Sequence, residues 1–423
     1  MLDLQLIRHD PQTVLEGISK RWDAAESRSA VDRIVQLDAE HRALIGEVEE
    51  SRRNRKLAAK AYAEAKRRGE DVDPPASDRQ ALGTLEERLR QVAQELNDRL
   101  LELPNLPAED VVPGGKEANR VVRTWGTRPE NTVLDHVQLA ERLGLVDHAR
   151  GVKLAGTGFW IYTGLGARLE WALIDWFIER NAAAGYQFVL PPHILLDSAG
   201  VAAGQFPKFA DDVYHLERER DERGQFLLPT AGTAILGMYQ DEILDAAELP
   251  LKVFAYTPCY RLERAGTHSD ERGTVRGHQF NKVEAFQFVR PADADNTLTQ
   301  MVEHVESLVE ALGLHYQRTL LAAGDASASM RKTMDIEVWM PSAGKYKEVS
   351  SVSWAGDYQA RRAGIRYRDR GSRTTDYVHT LNGSALATSR VVPAILEQFQ
   401  DGDSVVVPEV LRSRLGCDRL TVD

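Results

Sequence analysis

Two runs of apolar residues spaced by three and four dominate the first hundred residues of this 423-residue chain. In the first, Ile34, Leu37, His41, Leu44 and Val48 step by 3, 4, 3 and 4; Leu82, Leu85, Leu89, Val92 and Leu96 repeat that stepping. Such a stripe predicts two helices that bury a narrow seam against each other. Between them, residues 69–78 (GEDVDPPASD) hold consecutive prolines, which a helix interior does not accept. The chain must turn there. The expected product is an antiparallel hairpin, an arm of ~35 residues reaching ~50 Å at ~1.5 Å per residue.

The arm concentrates charge. Residues 51–70 carry eight Lys or Arg and two Glu, a local charge of +6 on a chain whose net charge is -11. The cluster includes Arg52, Arg53, Arg55, Lys56 and Lys60 in the distal half of the arm. One basic segment on an acidic body is the electrostatic footprint of a nucleic-acid contact. On charge alone it also fits a solvated helix face. At 43% hydrophobic and 28% charged residues, the composition excludes a disordered or collagenous chain. No apolar run approaches the ~20 residues of a membrane span, and MLDLQLIRHD does not read as a secretory signal. Two cysteines, Cys259 and Cys417, are too few for a disulfide framework and point to the cytoplasm.

Residues 103–113 (LPNLPAEDVVP) contain three prolines and read as a linker. The expected domains are 1–103, a linker over 104–125, and 126–423. In the last, a helical pattern over 166–184 precedes a short strand in GYQFVLPP. Further strands are expected at 252–261, 280–289, 334–340 and 346–353. Strand runs without a regular intervening helix favour an α+β fold, an antiparallel sheet with flanking helices. The common glycine-rich phosphate loops are absent.

Three stretches carry candidate chemistry. In 259–288, two strands flank a loop of sixteen residues, 262–277, far longer than a tight hairpin needs. Arg261 and Glu263 open it, Arg264, Arg272 and Arg276 punctuate it, and Lys282 and Glu284 follow on the return strand. Arginine on a strand suits bidentate phosphate binding; a salt-bridged surface hairpin fits the same charges. In the second stretch, Glu348-Val349-Ser350-Ser351, alternation puts Glu348 and Ser350 on one face unless a bulge intervenes. A carboxylate and a hydroxyl can hold hydrated Mg2+ beside phosphates; a plain polar strand face is the other reading. In the third, small polar residues of 379–400 feed a helix with Arg390 in its first turns, a phosphate-binding terminus or an ordinary cap. The eleven histidines form no metal-ligand spacing, and no nucleophile triad is visible.

With these motifs in place, the chain resembles bacterial seryl-tRNA synthetases, within the class II aminoacyl-tRNA synthetases, over essentially its whole length. GARLEWALIDWFIERNAAAGYQFVLPP is similar to the first class motif, CYRLERAGTHSDERGTVRGHQFNKVE to the second, and LNGSALATSRVVPAILE to the third. GQFPKF, DIEVWMP, EVSS and DYQARRAGIRYR match further family signatures. The resemblance implies an antiparallel sheet binding ATP in a bent form, a tRNA-gripping arm over 1–103, a class II catalytic domain over 126–423, and a homodimer. The arm of one subunit would serve the other's site. It implies that Arg261 holds the ATP α-phosphate and the substrate carboxylate, with Glu263 near the adenine and Leu262 between them. Glu348 and Ser351 match metal and phosphate ligands, flanking Val349 and Ser350, and Arg390 matches the γ-phosphate arginine. Glu284 matches the carboxylate that receives the serine ammonium and hydroxyl. Thr230, Ala231, Gly232, Asn382 and Ser384 match the rest of the amino-acid pocket. ATP, Mg2+, serine or a related small amino acid, and serine tRNA are the implied ligands.

The departures gather around the small-substrate pocket. The family's Thr-Ala-Glu is Thr230-Ala231-Gly232 here, and its Arg-Ser-Glu is Arg261-Leu262-Glu263. Its Cys-Ser-Asn is Val352-Ser353-Trp354, and GLAVGR becomes Ala385-Leu386-Ala387-Thr388-Ser389-Arg390. They make a divergent paralogue a second expectation, one that excludes a serine-mimicking antibiotic or supplies aminoacyl-tRNA to a biosynthetic pathway. A carrier-protein ligase and a non-catalytic tRNA-binding module are further readings.

Overall fold

The structure, a computed structural model, describes residues 1–71, 79–129, 134–217, 224–263 and 273–422. Most of the 69–78 turn and the loop residues Arg264 and Arg272 lie outside the described residues. The chain forms two compact units, Met1–Pro104 and Asn105–Asp423.

In the first unit, α1 (Ala24–Arg67) and α2 (Arg79–Glu102) follow two short helices. Asp23 caps α1, its carboxylate accepting the backbone N–H of Ala25 and Glu26. Ile34, Leu37, Leu44 and Val48 of α1, and Leu82, Val92 and Leu96 of α2, are buried as the heptads require. Ion pairs cross the seam at Arg33–Glu95, Glu40–Arg88 and Arg52–Glu86. Residue numbers rise on one helix as they fall on the other, so the helices run antiparallel. Asp38, buried on α1, takes both the Nε and Nη2 of Arg8 at 2.7 Å and holds a short N-terminal helix against α1.

The second unit is built on eight strands: β1 (Arg120–Trp125), β2 (Gln187–Val189), β3 (Leu251–Tyr260), β4 (Gln279–Val289), β5 (Tyr316–Leu320), β6 (Lys332–Met340), β7 (Lys345–Gly356) and β8 (His379–Ala387). Their order in the sheet is β1-β5-β6-β7-β8-β4-β3-β2. All neighbours are antiparallel except the edge strand β2, which runs parallel to β3. Of residues 104–125, expected as a linker, 105–125 are packed into this unit. β1 pairs with β5, and the buried Asn105 amide donates to the carbonyls of Ser329 and Ala355 at 2.9 and 2.7 Å. Prolines bar a helix there but not docked extended chain.

Helices α3 (Gly164–Ala183), α5 (Ala294–Ala311) and α6 (Thr388–Gln398) cover one face of the sheet, and the small α4 (Ala231–Met238) packs toward the other. Alternation along β4 divides its side chains. Val283 and Ala285 enter the core beneath α3 and α6, while Phe286 and Phe288 pack with α4. Lys282 and Glu284 share the second face, and that parity places the site. No helix among the described residues is long and apolar enough to cross a membrane. Cys259 and Cys417 are free thiols.

Candidate active site

Two charges are buried side by side on β4. Lys282 Nζ lies 2.5 Å from Glu284 Oε2 and donates to Thr230 Oγ1 at 2.6 Å. From β8, the Asn382 amide donates to the other Glu284 oxygen at 2.9 Å. Thr230 is the N-cap of α4, its hydroxyl also accepting the Gly232 N–H at 3.4 Å. A Cβ built on Gly232 would meet Glu284 Oε1 at 3.5 Å and Phe286 and Thr230 at 3.8 Å, ordinary contact distances at which a methyl group fits but touches all three. Thr230, Gly232, Asn382 and Arg261 border a cavity of about 620 Å³.

Arg261 stands just past the end of β3. Its guanidinium donates to the Pro229 carbonyl at 3.3 Å and lies 5.1 Å over the Phe280 ring. Arg390 stands in the first turn of α6. Its Nη1 donates to the Glu348 carbonyl at 2.7 Å and lies 3.2 Å from that residue's carboxylate, while Nε donates to Val275 O at 3.3 Å. Arg261, Arg390, Glu348, Lys282 and Ser384 line one second cavity, which adjoins the first at Arg261, Glu263 and Arg276. Both guanidinium groups therefore face shared space. Glu263 ion-pairs with Arg276 and has φ of +39°, a backbone state that costs a non-glycine residue of order 1–3 kcal/mol and clusters at functional sites.

The Glu348 segment carries a β-bulge. Ser350 pairs with Ile336 but Glu348 with Glu337, so Val349 is the extra residue. The bulge shifts the pleat: Val349 and Val352 both enter the core, and Glu348 and Ser351 come to the same neighbourhood as Asp335 on β6. Simple alternation, with Ser350 beside Glu348, does not hold. Burial pushes the Glu348 carboxyl up, but Arg390, Arg261 and Lys282 outweigh it and hold it below the ordinary carboxylate range. Asp335 moves the opposite way, raised well above that range by burial and then by the Glu348 charge, although Ser351 donates to it. Of two acids so close, Asp335 is the one that holds its proton the more tightly.

Most residues expected at the site converge on the two cavities; five do not line them, among them Glu284, which is buried behind Lys282 and Asn382. Leu262 is on the chain path beyond β3, its N–H donating to Asp212 O at 2.9 Å. Ser350 is fully buried and donates to Ser384 O at 2.6 Å. Ala231 is buried in the apolar cluster under α4, and Ser351 is turned to Asp335. Sequence reasoning named Lys282 in the candidate stretch 259–288 without giving it a role, and left out Asp335. The i, i+2 spacing of Lys282 and Glu284 was the available signal for the first. In the other unit, Arg52, Arg53, Arg55, Lys56 and Lys60 are all exposed along α1, Arg52 pairing with Glu86 at 2.7 Å.

Residues 1–107 match the seryl-tRNA synthetase N-terminal domain family, and residues 214–399 match the tRNA synthetase class II core domain (G, H, P, S and T). Serine–tRNA ligase 2 of Clostridium acetobutylicum is 49% identical, over 99% of this chain and 100% of its own length. The chain belongs to the seryl-tRNA synthetase family. Serine–tRNA ligase of Geobacillus kaustophilus is 42% identical over 98% of this chain and 99% of its own. The crystal structure of seryl-tRNA synthetase from Pyrococcus horikoshii complexed with ATP superposes with a TM-score of 0.91 at 32% identity, covering 100% of both chains. The fold is thus that of a class II synthetase, with a large antiparallel-dominated sheet, flanking helices and the long N-terminal helix of the family's arm. These relatives lend no support to the carrier-protein, non-catalytic, resistance or biosynthetic-supply readings.

Proposed function

We propose that the serine–tRNA ligase activity of this class II enzyme runs through the two adjoining cavities, with Arg261 at their junction. In the first step a serine carboxylate oxygen attacks the α-phosphorus of ATP, and the bond to pyrophosphate breaks. The carboxylate is already ionised at neutral pH, so no general base is required, and positioning and electrostatic stabilisation supply the catalysis. Arg261 steadies the α-phosphate and the serine carboxylate; Arg390, at the far side of Glu348, takes the γ-phosphate end. Glu284, Asn382, Thr230 and Ser384 receive the ammonium and hydroxyl. Glu263 borders the adenine, with Leu262 beside it on the chain path outside the cavities. In the second step the terminal ribose hydroxyl of serine tRNA attacks the aminoacyl carbonyl and AMP leaves.

Glu348 and Ser351 would hold Mg2+ with the phosphates, flanked by Val349 and Ser350. Among the described residues no group of three or more His, Cys, Asp or Glu is placed to hold a metal. That small donor set fits Mg2+, which binds through one or two carboxylates and substrate phosphates. Bound there, it would neutralise phosphate charge; the arginines do the orienting.

The exposed basic residues Arg52, Arg53, Arg55, Lys56 and Lys60 make α1 the tRNA-gripping arm, with 1–103, 104–125 and 126–423 as arm, connection and catalytic domain. A homodimer is supported by apolar side chains at the α3 and β2 edge: Trp171 is 60% exposed and Leu190 72%. We place the enzyme in the cytoplasm, in keeping with its two free thiols. The observation that carries this reading is that Arg261 and Arg390 line one cavity around an ionised Glu348. Serine-dependent ATP–pyrophosphate exchange and charging of serine tRNA test it. Full exchange in Arg261→Ala would overturn it.

A further inference from the structure

The steps above leave one buried carboxylate without a task. Glu170, on α3, is 5% exposed. Its Oε1 accepts two hydrogen bonds, from the Asn281 amide at 2.9 Å and from the Thr388 hydroxyl at 2.5 Å. Asn281 precedes Lys282 on β4, and Thr388 opens α6 two residues before Arg390. Glu170 therefore ties α3 to two elements that carry charges of the phosphate site.

The first turn of α6 depends on such a tie. Its N-cap, Ala387, makes no side-chain capping bond. Pro393 lies inside the helix and has no N–H to offer the Ser389 carbonyl four residues back. That carbonyl takes the Thr274 hydroxyl instead, at 3.2 Å. The turn that presents Arg390 is thus held from outside, by Thr388 on Glu170 and by Thr274 on Ser389. Glu348 and Val275 hold only the guanidinium end of Arg390, and a long side chain keeps its aim only while the backbone beneath it stays in place. A cavity of about 130 Å³, bordered by Glu170, Asn281, Thr388 and Ser389, shares Ser389 and Phe280 with the Arg390 cavity. The turn has free volume to move into once the tie is cut.

We infer that Glu170 is a positioning residue for adenylation: through Thr388 it fixes the first turn of α6, and with it the direction from which Arg390 meets the phosphates. The inference rests on the serine–tRNA ligase reading above and deepens the same site. Glu170 makes no contact with substrate in it and takes no part in the bond changes. Thr388-Ser389 stands where the family's GLAVGR has Val-Gly, so a valine at 388 suits the fold and isolates the hydroxyl.

The test is serine-dependent ATP–pyrophosphate exchange by the full-length enzyme, expressed per active site titrated by its burst of adenylate, so that unfolded protein does not count. We expect Thr388→Val to lower kcat about tenfold, within what a small misplacement of a charged group costs. Thr388→Ser, which keeps the hydroxyl, should return to within about threefold of the parent. Glu170→Met removes the acceptor from the other side and should lose at least as much as Thr388→Val. The decisive comparison is a double-mutant cycle: in an Arg390→Ala background, Thr388→Val should cost less than about twofold, because the group it aims is gone. A full further tenfold there would show that Thr388 acts by another route and overturn the inference. So would a change of less than about threefold in both Thr388→Val and Glu170→Met, or a failure of Thr388→Ser to recover activity. No exchange by the parent enzyme would overturn the ligase reading itself.

Discussion

Arg390 grips Glu348 at two points, its Nη1 lying 2.7 Å from the backbone carbonyl and 3.2 Å from the carboxylate. The contact spans α6 and β7, so it fixes the direction of the guanidinium as well as the charge of the acid. Arg390→Ala should lower kcat for serine-dependent pyrophosphate exchange by roughly 10²–10³-fold, the cost of removing one preorganised charge donor. Arg390→Lys should recover little of it, because a point charge cannot make the forked contact. Exchange kinetics with varied ATP provide the measurement. A change of less than about threefold would remove Arg390 from the phosphate site.

The Lys282–Glu284 pair makes a stability prediction. Both side chains are nearly inaccessible, and removing one partner strands a buried charge. Lys282→Met should destabilise the second unit by about 3–5 kcal/mol, read by chemical denaturation. Lys282→Met combined with Glu284→Gln should recover part of that loss without recovering serine activation. If the single variant unfolds at the same denaturant concentration as the parent, Glu284 is solvated or protonated, and the pair is not the anchor described here.

Much of this site is legible in local pattern and much is not. The 3-4 stepping from Ile34 to Val48 reports the seam of the arm directly, because one helix face must be buried. The strands around Arg261 and Glu284 are equally plain, and their alternation already puts Lys282 beside Glu284. Three features depend on non-local register. The bulge at Val349 reverses the parity of Glu348 against Ser350, and nothing in EVSS announces it. Asp335 reaches Ser351 only because β6 and β7 pair in that register. Residues 105–125 read as a linker because proline marks the absence of helix, yet Asn105 finds two buried carbonyls more than two hundred residues away.

On the arm, Arg53→Glu, Arg55→Glu and Lys56→Glu combined should weaken binding of serine tRNA. If three phosphate contacts are lost, the slope of log affinity against log salt should flatten by about 2–3. Filter binding across a salt series measures it. Pyrophosphate exchange, which needs no tRNA, is the companion measurement. An equal fall in exchange would show that the substitutions disturb folding rather than a tRNA contact, and an unaltered slope would remove these residues from the interface.

The last prediction concerns acid stability. His304, on α5, donates Nε2–H to Asn181 Oδ1 at 3.0 Å; the Asn181 amide is itself oriented by donating to Phe177 O at 2.7 Å. Burial, followed by the positive charges of Arg180 and Lys252, lowers the His304 pKa from 6.5 to about 4. Between those values the unfolded chain holds a proton that the folded chain does not. Stability from this group is complete above pH 6.5 and is lost as pH falls toward 4. At pH 4.5 the loss should be about 2.5 kcal/mol relative to neutral pH. Carboxylates titrate in the same window, so the informative quantity is the difference between the parent and His304→Gln, which retains an amide N–H donor for Asn181. Denaturation midpoints measured from pH 7 to pH 4.5 should fall less steeply in the variant. Parallel curves would show that His304 is protonated in the fold, or that water reaches it and screens the charge.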